Sequence, residues 1–493
     1  MTLAQLPALV VVVPLMAAPL TVLVRRSAPA WAIASAACAF SFAASLLLGA
    51  DVAAHGAISY HLGSWEPPWG IEYRVDALSA FMLVLVSGMA TVVAPYAWRS
   101  VAAELPRDQV YLFYTMFCLS VAGLLGMSVT GDAFNLFVFM EISSLSSYVL
   151  IALGRHRRAL HAAYQYLILG TIGATFYVIG VGLLYLMTGT LNIVDMAERL
   201  QTVDNLRPVL AALAFITVGV SLKLALFPLH LWLPNAYTYA PSAVTAFLAA
   251  TATKVSVYVL MRFYFSVFGL RLVVDELPMP ELLLALSLFA VVTASLVAVY
   301  QGNLKRLFAY SSVAQIGYIT LGVSMASRDG LVGAVVHLFN HGVTKGALFL
   351  LVGGVALRAG GAGLERMRGL GSVMPVTSLG IVLAGLSLIG VPGTAGFISK
   401  WYLVLAAIEA GRWWLAGLIV ASSLIAVAYV WRFVEMAYLS APAQGTPPPG
   451  EAPLVMLLPA WALVAACVYF GFDTSYTVET AQRAATLLLG GVP

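Results

Sequence analysis

Residues 131–153 read GDAFNLFVFMEISSLSSYVLIAL, an apolar run with one carboxylate, Glu141, near its middle. About 20 apolar residues are enough for a helix to cross a lipid bilayer. Ser144 and Tyr148 follow Glu141 by three and seven residues, so the three side chains share one helical face. The stretch therefore predicts a membrane-spanning helix with a polar stripe that faces the interior of a helix bundle.

The whole chain has the same apolar character. Its 493 residues are 61% hydrophobic and 9% charged, with a mean hydropathy of +0.95, whereas soluble domains are roughly 45–50% apolar and 25% charged. This composition excludes a water-soluble enzyme and predicts an all-α polytopic membrane protein. Apolar runs bounded by Gly, Pro and charged residues give about fourteen spans: 5–24, 29–49, 77–97, 109–130, 132–153, 163–187, 207–231, 241–266, 280–301, 304–326, 330–357, 373–408, 413–438 and 453–472.

Several function classes find no support in the sequence. Cys38, Cys118 and Cys467 lie singly in apolar runs, which argues against an iron–sulfur cluster, a structural zinc site or disulfides. The chain has no P-loop and no glycine-rich dinucleotide fingerprint, so we expect no nucleotide hydrolysis. It has no basic stripe for nucleic acid. We expect no cofactor and no metal site.

The loop charges predict an orientation. Alternating the loops across fourteen spans puts thirteen basic and five acidic residues on one side, and eight arginines and fifteen acids on the other. The positive-inside rule makes the first side cytoplasmic and places both termini outside. Arg25 and Arg26 follow the first apolar run, which has no cleavage site and is predicted to be an uncleaved span. This scheme counts Lys305 as a loop residue. Arg432 and Glu435, three residues apart near the cytoplasmic end of the thirteenth span, are expected to form a structural pair.

Five charged residues fall inside the predicted spans instead of in loops. A charge at mid-bilayer costs roughly 2.5–3.5 kcal/mol and usually faces the bundle interior because it has a function. We interpret these residues as functional, and the alternative is that they form structural ion pairs. They are Glu141, Lys223, Lys254, Lys345 and Lys400.

Two of the lysines lie next to predicted helix breaks. Lys223 precedes the sequence Phe-Pro228-Leu-His230-Leu-Trp-Leu-Pro by about one turn, and Lys400 follows Gly-Val-Pro392-Gly-Thr-Ala-Gly. Broken helices at membrane depth occur where they line a cavity. The seventh and twelfth spans are therefore predicted to be broken helices. For His230, which follows Pro228, a role as a proton relay and a role in packing are equally open.

Protonatable groups also recur along the eighth and eleventh spans. Lys254 lies in the eighth span, and a buried lysine near a carboxylate is a group whose proton affinity changes when the partner moves. His337, His341 and Lys345 follow one another at intervals of four residues on one face of the eleventh span, as a proton relay requires. The alternative is that the two histidines are hydrogen-bonded to neighbouring helices. A metal site would need a further carboxylate or Cys ligand, and none is evident.

The breaks suggest an internal repeat. Spans four to eight and nine to thirteen would form two inverted five-helix units, because an odd number of spans reverses the topology. The proline-rich stretch 441–453 is predicted as a cytoplasmic loop. The predicted divisions are residues 1–108 (three N-terminal helices), 109–266 (first repeat), 280–438 (second repeat) and 453–493 (a last helix and a tail).

Three long motifs, residues 131–141, 221–234 and 301–312, resemble those of a known superfamily. It comprises the antiporter-like membrane subunits of respiratory complex I and of Mrp-type multisubunit cation/proton antiporters. The similarity covers roughly residues 70–440. Within this superfamily the sequence NLFVFME (135–141), the sequence TGTLN (188–192) and Lys400 are similar to the D-type subunit of Mrp antiporters. The serine-rich sequence after Glu141 departs from the family form.

The resemblance implies fourteen helices with two inverted repeats, and a transporter subunit rather than an enzyme. It also implies other membrane subunits as partners, exchange of protons for a monovalent cation such as Na⁺, and a place in the cell inner membrane. An alternative is a proton-pumping subunit of an NADH:quinone or hydrogenase-linked redox complex. A third interpretation, a self-contained transporter for an organic solute, is disfavoured by the lysine and histidine row. The implied proton path comprises Glu141, Lys223, Lys254, His337, His341, Lys345 and Lys400, with His230 as a possible relay.

Overall fold

The computed structural model describes residues 3–441 and 450–490, and helices account for most of them. One short antiparallel hairpin pairs β1 (Ile58–His61) with β2 (Glu72–Val75). The helices are α1 (Leu6–Val24), α2 (Ser27–His55), α3 (Ala77–Glu104), α4 (Val110–Val129), α5 (Ala133–Ala152), α6 (Arg158–Thr188), α7 (Ile193–Leu200), α8 (Leu206–Leu224), α9 (Trp232–Tyr239), α10 (Ser242–Ala250), α11 (Ala252–Met261), α12 (Met279–Val299), α13 (Leu304–Ser324), α14 (Arg328–Ala359), α15 (Leu370–Val373), α16 (Pro375–Ile389), α17 (Ala395–Glu409), α18 (Trp413–Val434), α19 (Leu454–Phe472) and α20 (Ser475–Leu488).

The predicted class, an all-α polytopic membrane protein, is confirmed. Within the described residues, 12 helices are long and apolar enough to cross a membrane. The predicted tenth and twelfth spans are not among these 12, and their positions are taken by α13 and by the pair α16 and α17. The count of fourteen spans and the inverted repeats stay predictions.

Both predicted helix breaks are present. α8 ends at Leu224, and the chain turns through Pro228 before α9 begins. α16 and α17 are separated by a loop that contains Pro392. Gly390 ends α16 with φ +90°, and a Cβ at this position would lie 2.9 Å from Cδ of Lys400. Only glycine therefore combines this backbone conformation with the close approach of the lysine stem.

A third break was not predicted. Thr251 separates α10 from α11 with φ −124° and ψ −57°, outside the helical region. No Gly or Pro lies nearby in the sequence to signal it. Beyond α11 the chain continues as a π-helix over Arg262–Phe268. The eighth predicted span is therefore interrupted just before Lys254.

The helix α14 lies at the centre of the helix bundle. Every residue from Gly330 to Val355 is buried, as expected for a helix surrounded by protein on all sides. It packs against α3, α10, α13, α16, α17, α19 and α20. The predicted tail contributes to this packing, because it contains the amphipathic helix α20.

A buried ion pair fastens α3 to the end of the eighth span. Asp76 caps α3 by accepting a hydrogen bond from the backbone N–H of Ser79 at 3.0 Å, and it pairs with Arg262. The Arg262 guanidinium carbon also lies 5.1 Å from the centre of the Tyr258 ring. Burial raises the pKa of the Asp76 carboxyl, but the charge and hydrogen bonds of Arg262 outweigh it, so the pKa lies below its ordinary value.

Two expectations about charged residues near the ends of the spans are wrong. Lys305 is not a loop residue but lies in the first turn of α13, is 7% exposed, and donates a hydrogen bond to the carbonyl of Ala240 at 3.3 Å. Arg432 does not pair with Glu435 but donates to backbone carbonyls, among them that of Gln301 at 2.8 Å. Helix-end carbonyls thus hold both cations. Of the predicted loop 441–453, residues 442–449 lie outside the described residues.

The Asp76–Arg262 pair can be tested by its effect on stability. Asp76→Ala removes the helix cap and leaves Arg262 buried without its partner, so we expect a loss of about 3 kcal/mol. The measurement is thermal unfolding of the detergent-purified protein. Asp275→Ala, at an exposed acid on the same predicted side, is the matched control. Equal melting temperatures for the two variants would contradict the structural role of the pair.

Candidate functional site

The charged pair nearest the first break is Glu141 on α5 and Lys223 on α8. Nζ of Lys223 lies 3.4 Å from Oε1 of Glu141 and donates a hydrogen bond to Oγ of Ser144 at 2.7 Å. The lysine side chain is 4% exposed and the glutamate side chain is 23% exposed. The last turn of α8 thus places the ammonium against the polar stripe of α5, and the glutamate reaches the outer surface of the chain.

Lys254 lies beside the helix break at Thr251, which was not predicted from the sequence. Its side chain is fully buried, and Nζ donates to the carbonyl of Ala249 at 2.5 Å and to Oγ1 of Thr253 at 3.3 Å. In a continuous helix the Ala249 carbonyl would accept from the backbone N–H four residues later. The interruption at Thr251 frees this carbonyl, and the ammonium takes the place of the missing donor.

The three predicted relay groups lie on the buried central helix α14. The two ring nitrogens of His337 are hydrogen-bonded to Oγ of Ser399 at 2.7 Å and to Oε1 of Gln315 at 2.9 Å. Lys345 donates to the carbonyl of Phe308 at 2.8 Å and to Ser311. Consecutive members of the row are four residues apart, which is about 6 Å along a helix.

His341 lies between these two groups and has no hydrogen-bond partner for either ring nitrogen in the part of the chain that the structure describes. Its ring is parallel to that of His337, with the centroids 5.9 Å apart. The neighbouring Asn340 donates to the Ala395 carbonyl at 2.8 Å, but its own Oδ1 is also unpartnered among the described residues. Buried polar atoms in native proteins are bonded to protein or to water. We therefore expect ordered water beside His341 and Asn340.

Lys400 is held at the second break. Its Nζ donates to the carbonyl of Ile389 at 2.7 Å and to Oγ of Ser423 at 3.0 Å, and it lies 4.7 Å from the centre of the Tyr318 ring. The preceding residue, Ser399, is the hydroxyl partner of His337. The α14 row and the second broken helix are thus connected by direct contacts.

The structure brings most of the predicted residues to helix breaks or to α14, but His230 lies apart. This side chain is buried beside Phe227, with ring centroids 5.3 Å apart, and its Nδ1 is unpartnered within the described residues. Among the described residues, no hydrogen bond connects His230 to the row of His337, His341 and Lys345 on α14. Gln315 and Ser399 were missed in the sequence, because only charged and histidine side chains in apolar spans were selected and these two polar side chains are uncharged.

The chemistry available is the reversible binding of protons. Lysine and histidine side chains can each gain or lose a proton, and freed carbonyls and hydroxyls stabilise their charged forms. Within the described residues, no group of three or more His, Cys, Asp or Glu side chains has the geometry of a metal site. The site is a chain of separated proton-binding groups rather than a single centre.

A protein family described as "NADH:quinone oxidoreductase/Mrp antiporter, TM" matches residues 130–426 of this chain. The chain belongs to this family. The matched region contains every residue of the predicted proton path, from Glu141 to Lys400. The family predicted from the sequence motifs is confirmed.

Individual members of the NADH:quinone oxidoreductase/Mrp antiporter family are similar over nearly the whole chain. NADH-quinone oxidoreductase subunit N of Desulforudis audaxviator is 42% identical over 94% of this chain and 93% of its own length. The D-type Na⁺/H⁺ antiporter subunit of Alkalihalophilus pseudofirmus is 29% identical over 89% of this chain and 88% of its own length. A chain of the Mrp complex from Dietzia sp. DQ12-45-1b superimposes with a TM-score of 0.90 at 27% identity, covering 99% of this chain and 98% of that one.

The unpartnered atoms of His341 and Asn340 give a direct test of the site. A cryo-electron microscopy map that resolves water should show density within hydrogen-bond distance of both ring nitrogens of His341, because a dry site would leave them unsatisfied. The hydrogen-bonded nitrogens of His337 are the internal control, since no water is needed there. A map with ordered water elsewhere on α14 but none at His341 would contradict the expectation.

Proposed function

We propose that this chain is a proton-translocating integral membrane subunit of a multisubunit monovalent cation/proton antiporter. The observation that carries the proposal is the Glu141–Lys223 pair, which lies inside the membrane beside a broken helix. Such a pair is costly to bury unless it is used. The similarity to the D-type antiporter subunit and to the Mrp complex chain supports exchange against a cation, with Na⁺ the first candidate.

The proposed proton path starts at Glu141 and Lys223 and continues through Lys254 to the α14 row. Movement of the glutamate towards or away from Lys223 changes the local field, and this change alters the proton affinity of the next lysine. The direct contact between His337 and Ser399 supports transfer from the row to Lys400. Water bridges the gaps that no side chain spans. His230 is an additional relay in this proposal, and its unpartnered Nδ1 among the described residues supports that role.

The remaining architecture is part of the same proposal. The two breaks support inverted units over residues 109–266 and 280–438, flanked by residues 1–108 and 453–493. The excess of basic residues on one side supports a cytoplasmic location for that side and both termini outside, in the cell inner membrane. The glutamate at the outer surface and the multisubunit Mrp complex support other membrane subunits as partners.

Lys223→Ala or Glu141→Ala should abolish cation-driven proton exchange while the complex still assembles, because each variant removes one half of the pair. The measurement uses membrane vesicles that carry the whole gene cluster. A pH-sensitive dye reports the collapse of an imposed pH gradient when Na⁺, K⁺ or Li⁺ is added. Arg207→Ala, at an exposed position near the start of α8, is the matched control. Normal exchange in either variant would contradict the mechanism.

A second candidate function is a proton-pumping subunit of a redox complex. It is favoured by the 42% identity to the NADH-quinone oxidoreductase subunit N. The same vesicles distinguish the two functions. Acidification driven by NADH or another reductant, without any response to added cations, would establish the redox-linked complex instead of the antiporter.

A further inference from the structure

The first amide group of α10 is bonded by a carboxylate from a distant helix. Glu104, the last residue of α3, accepts a hydrogen bond from the backbone N–H of Ser242 at 2.9 Å through Oε2. Its Oε1 accepts from Oγ of Ser100 at 2.6 Å. Ser242 is the first residue of α10. A negative charge thus lies at the positive end of the α10 dipole.

The opposite end of α10 meets Lys254. The ammonium donates to the carbonyl of Ala249, the second-to-last residue of α10. This helix of nine residues therefore has a carboxylate at its N-terminus and an ammonium at its C-terminus. Both charges have the sign that the helix dipole favours.

The helix α16 has the same arrangement. Glu451, which precedes α19, accepts from the backbone N–H of Val376 at 2.6 Å and from the N–H and hydroxyl of Thr377. At the other end of α16, Lys400 donates to the carbonyls of Leu388 and Ile389 at 3.4 and 2.7 Å.

These two caps differ from the others in the molecule. Most capped helices, such as α3, α5 and α14, use the side chain of the residue just before the helix. Among the described helices, only α10 and α16 have their first amides bonded by a carboxylate from a distant segment. The two carboxylates come from outside the predicted repeats. They cap the helices whose C-terminal carbonyls hold the proton-carrying lysines of the two halves.

We infer that Glu104 and Glu451 are positioning residues that stabilise the ammonium forms of Lys254 and Lys400 through α10 and α16. The inference rests on the proposed function, because it assigns these lysines to the proton path. Each cap also fixes the height of the helix in the membrane, and hence the position of the carbonyls that hold the lysine. The charges of Glu104 and Glu451, at the proposed cytoplasmic end of the molecule, thereby influence the protonation of Lys254 and Lys400.

Other charged groups face these residues and define the electrostatic setting. Glu104 faces Lys305 of α13 and Tyr96 of α3, and it lines a surface cavity together with Arg155. Lys305 bonds the Ala240 carbonyl and forms no ion pair within 4 Å among the described residues, so the charge of Glu104 is not cancelled by direct contact. The remaining neighbours are His337, His341 and Lys345 around Lys254, His337 and Tyr318 around Lys400, and Arg358 at the backbone of Glu451.

The test is the pH profile of exchange in vesicles that contain the intact complex with Glu104→Gln. The amide oxygen of glutamine still accepts from the Ser242 N–H, so the helix stays capped while the charge is lost. The ammonium form of Lys254 then loses stabilisation, and the midpoint of the profile moves to lower pH. The nine residues of α10 span about 13 Å, and two charges separated by at least this length give a shift of roughly half to one pH unit.

Two further variants make the test specific. Glu451→Gln should shift the profile in the same direction but by less, because the 15 residues of α16 span about 22 Å and hold the charges at its two ends farther apart. Glu104→Asp keeps the charge and should restore the wild-type profile. Asp108→Asn removes an exposed acid close to Glu104 in the sequence and is the matched control.

The outcomes separate the inference from the proposed function. A profile for Glu104→Gln that superimposes on the wild type, or an equal shift in Asp108→Asn, would overturn the inference while leaving the antiporter intact. Absence of cation-driven exchange in the wild-type complex would instead overturn the proposed function. In that case the pH profile of reductant-driven acidification is the readout, with the same expected shifts.

Discussion

The organisation of this molecule depends on the backbone carbonyls that are freed where a membrane helix breaks. In the bilayer interior such groups have no water and must find a donor within the protein. Lysine ammonium groups supply it at Ala249 and at Ile389. The ammonium in turn needs acceptors once it is buried. At these two breaks the freed carbonyl and its lysine therefore stabilise one another, and neither is expected to persist alone.

This mutual dependence explains which features could be predicted from the sequence. Pro228 and Pro392 indicate two of the breaks, because proline cannot donate in a helix. The charged residues inside apolar spans could be singled out because burying a charge in the membrane is costly. The break at Thr251 has no Gly or Pro to mark it, and the charge of Lys254, which bonds the Ala249 carbonyl five residues earlier, does not by itself show where the helix is interrupted.

The partners of the charged groups were harder to predict. Lys305 was counted with the loop charges and Arg432 was paired with Glu435 from their spacing, yet each is held by a backbone carbonyl at or just beyond the end of another helix. The long arms of lysine and arginine allow such contacts between segments far apart in the chain. Gln315 follows the same logic, because its role depends on the position of His337 on a different helix. Residue type predicted that these groups need partners, but only the fold determines which partners they find.

The burial of α14 has a consequence for biosynthesis. Phe339 of α14 stacks on Phe81 of α3, with ring centroids 4.6 Å apart, and also packs against Phe470 of α19 and Tyr476 of α20. Phe470 and Tyr476 follow α14 far along the sequence, so they leave the ribosome well after α14. The central helix therefore spends part of translation with the Phe339 side uncovered, and this side is covered only when α19 and α20 dock. Packing of the core is thus tied to segments that are synthesised much later than α14.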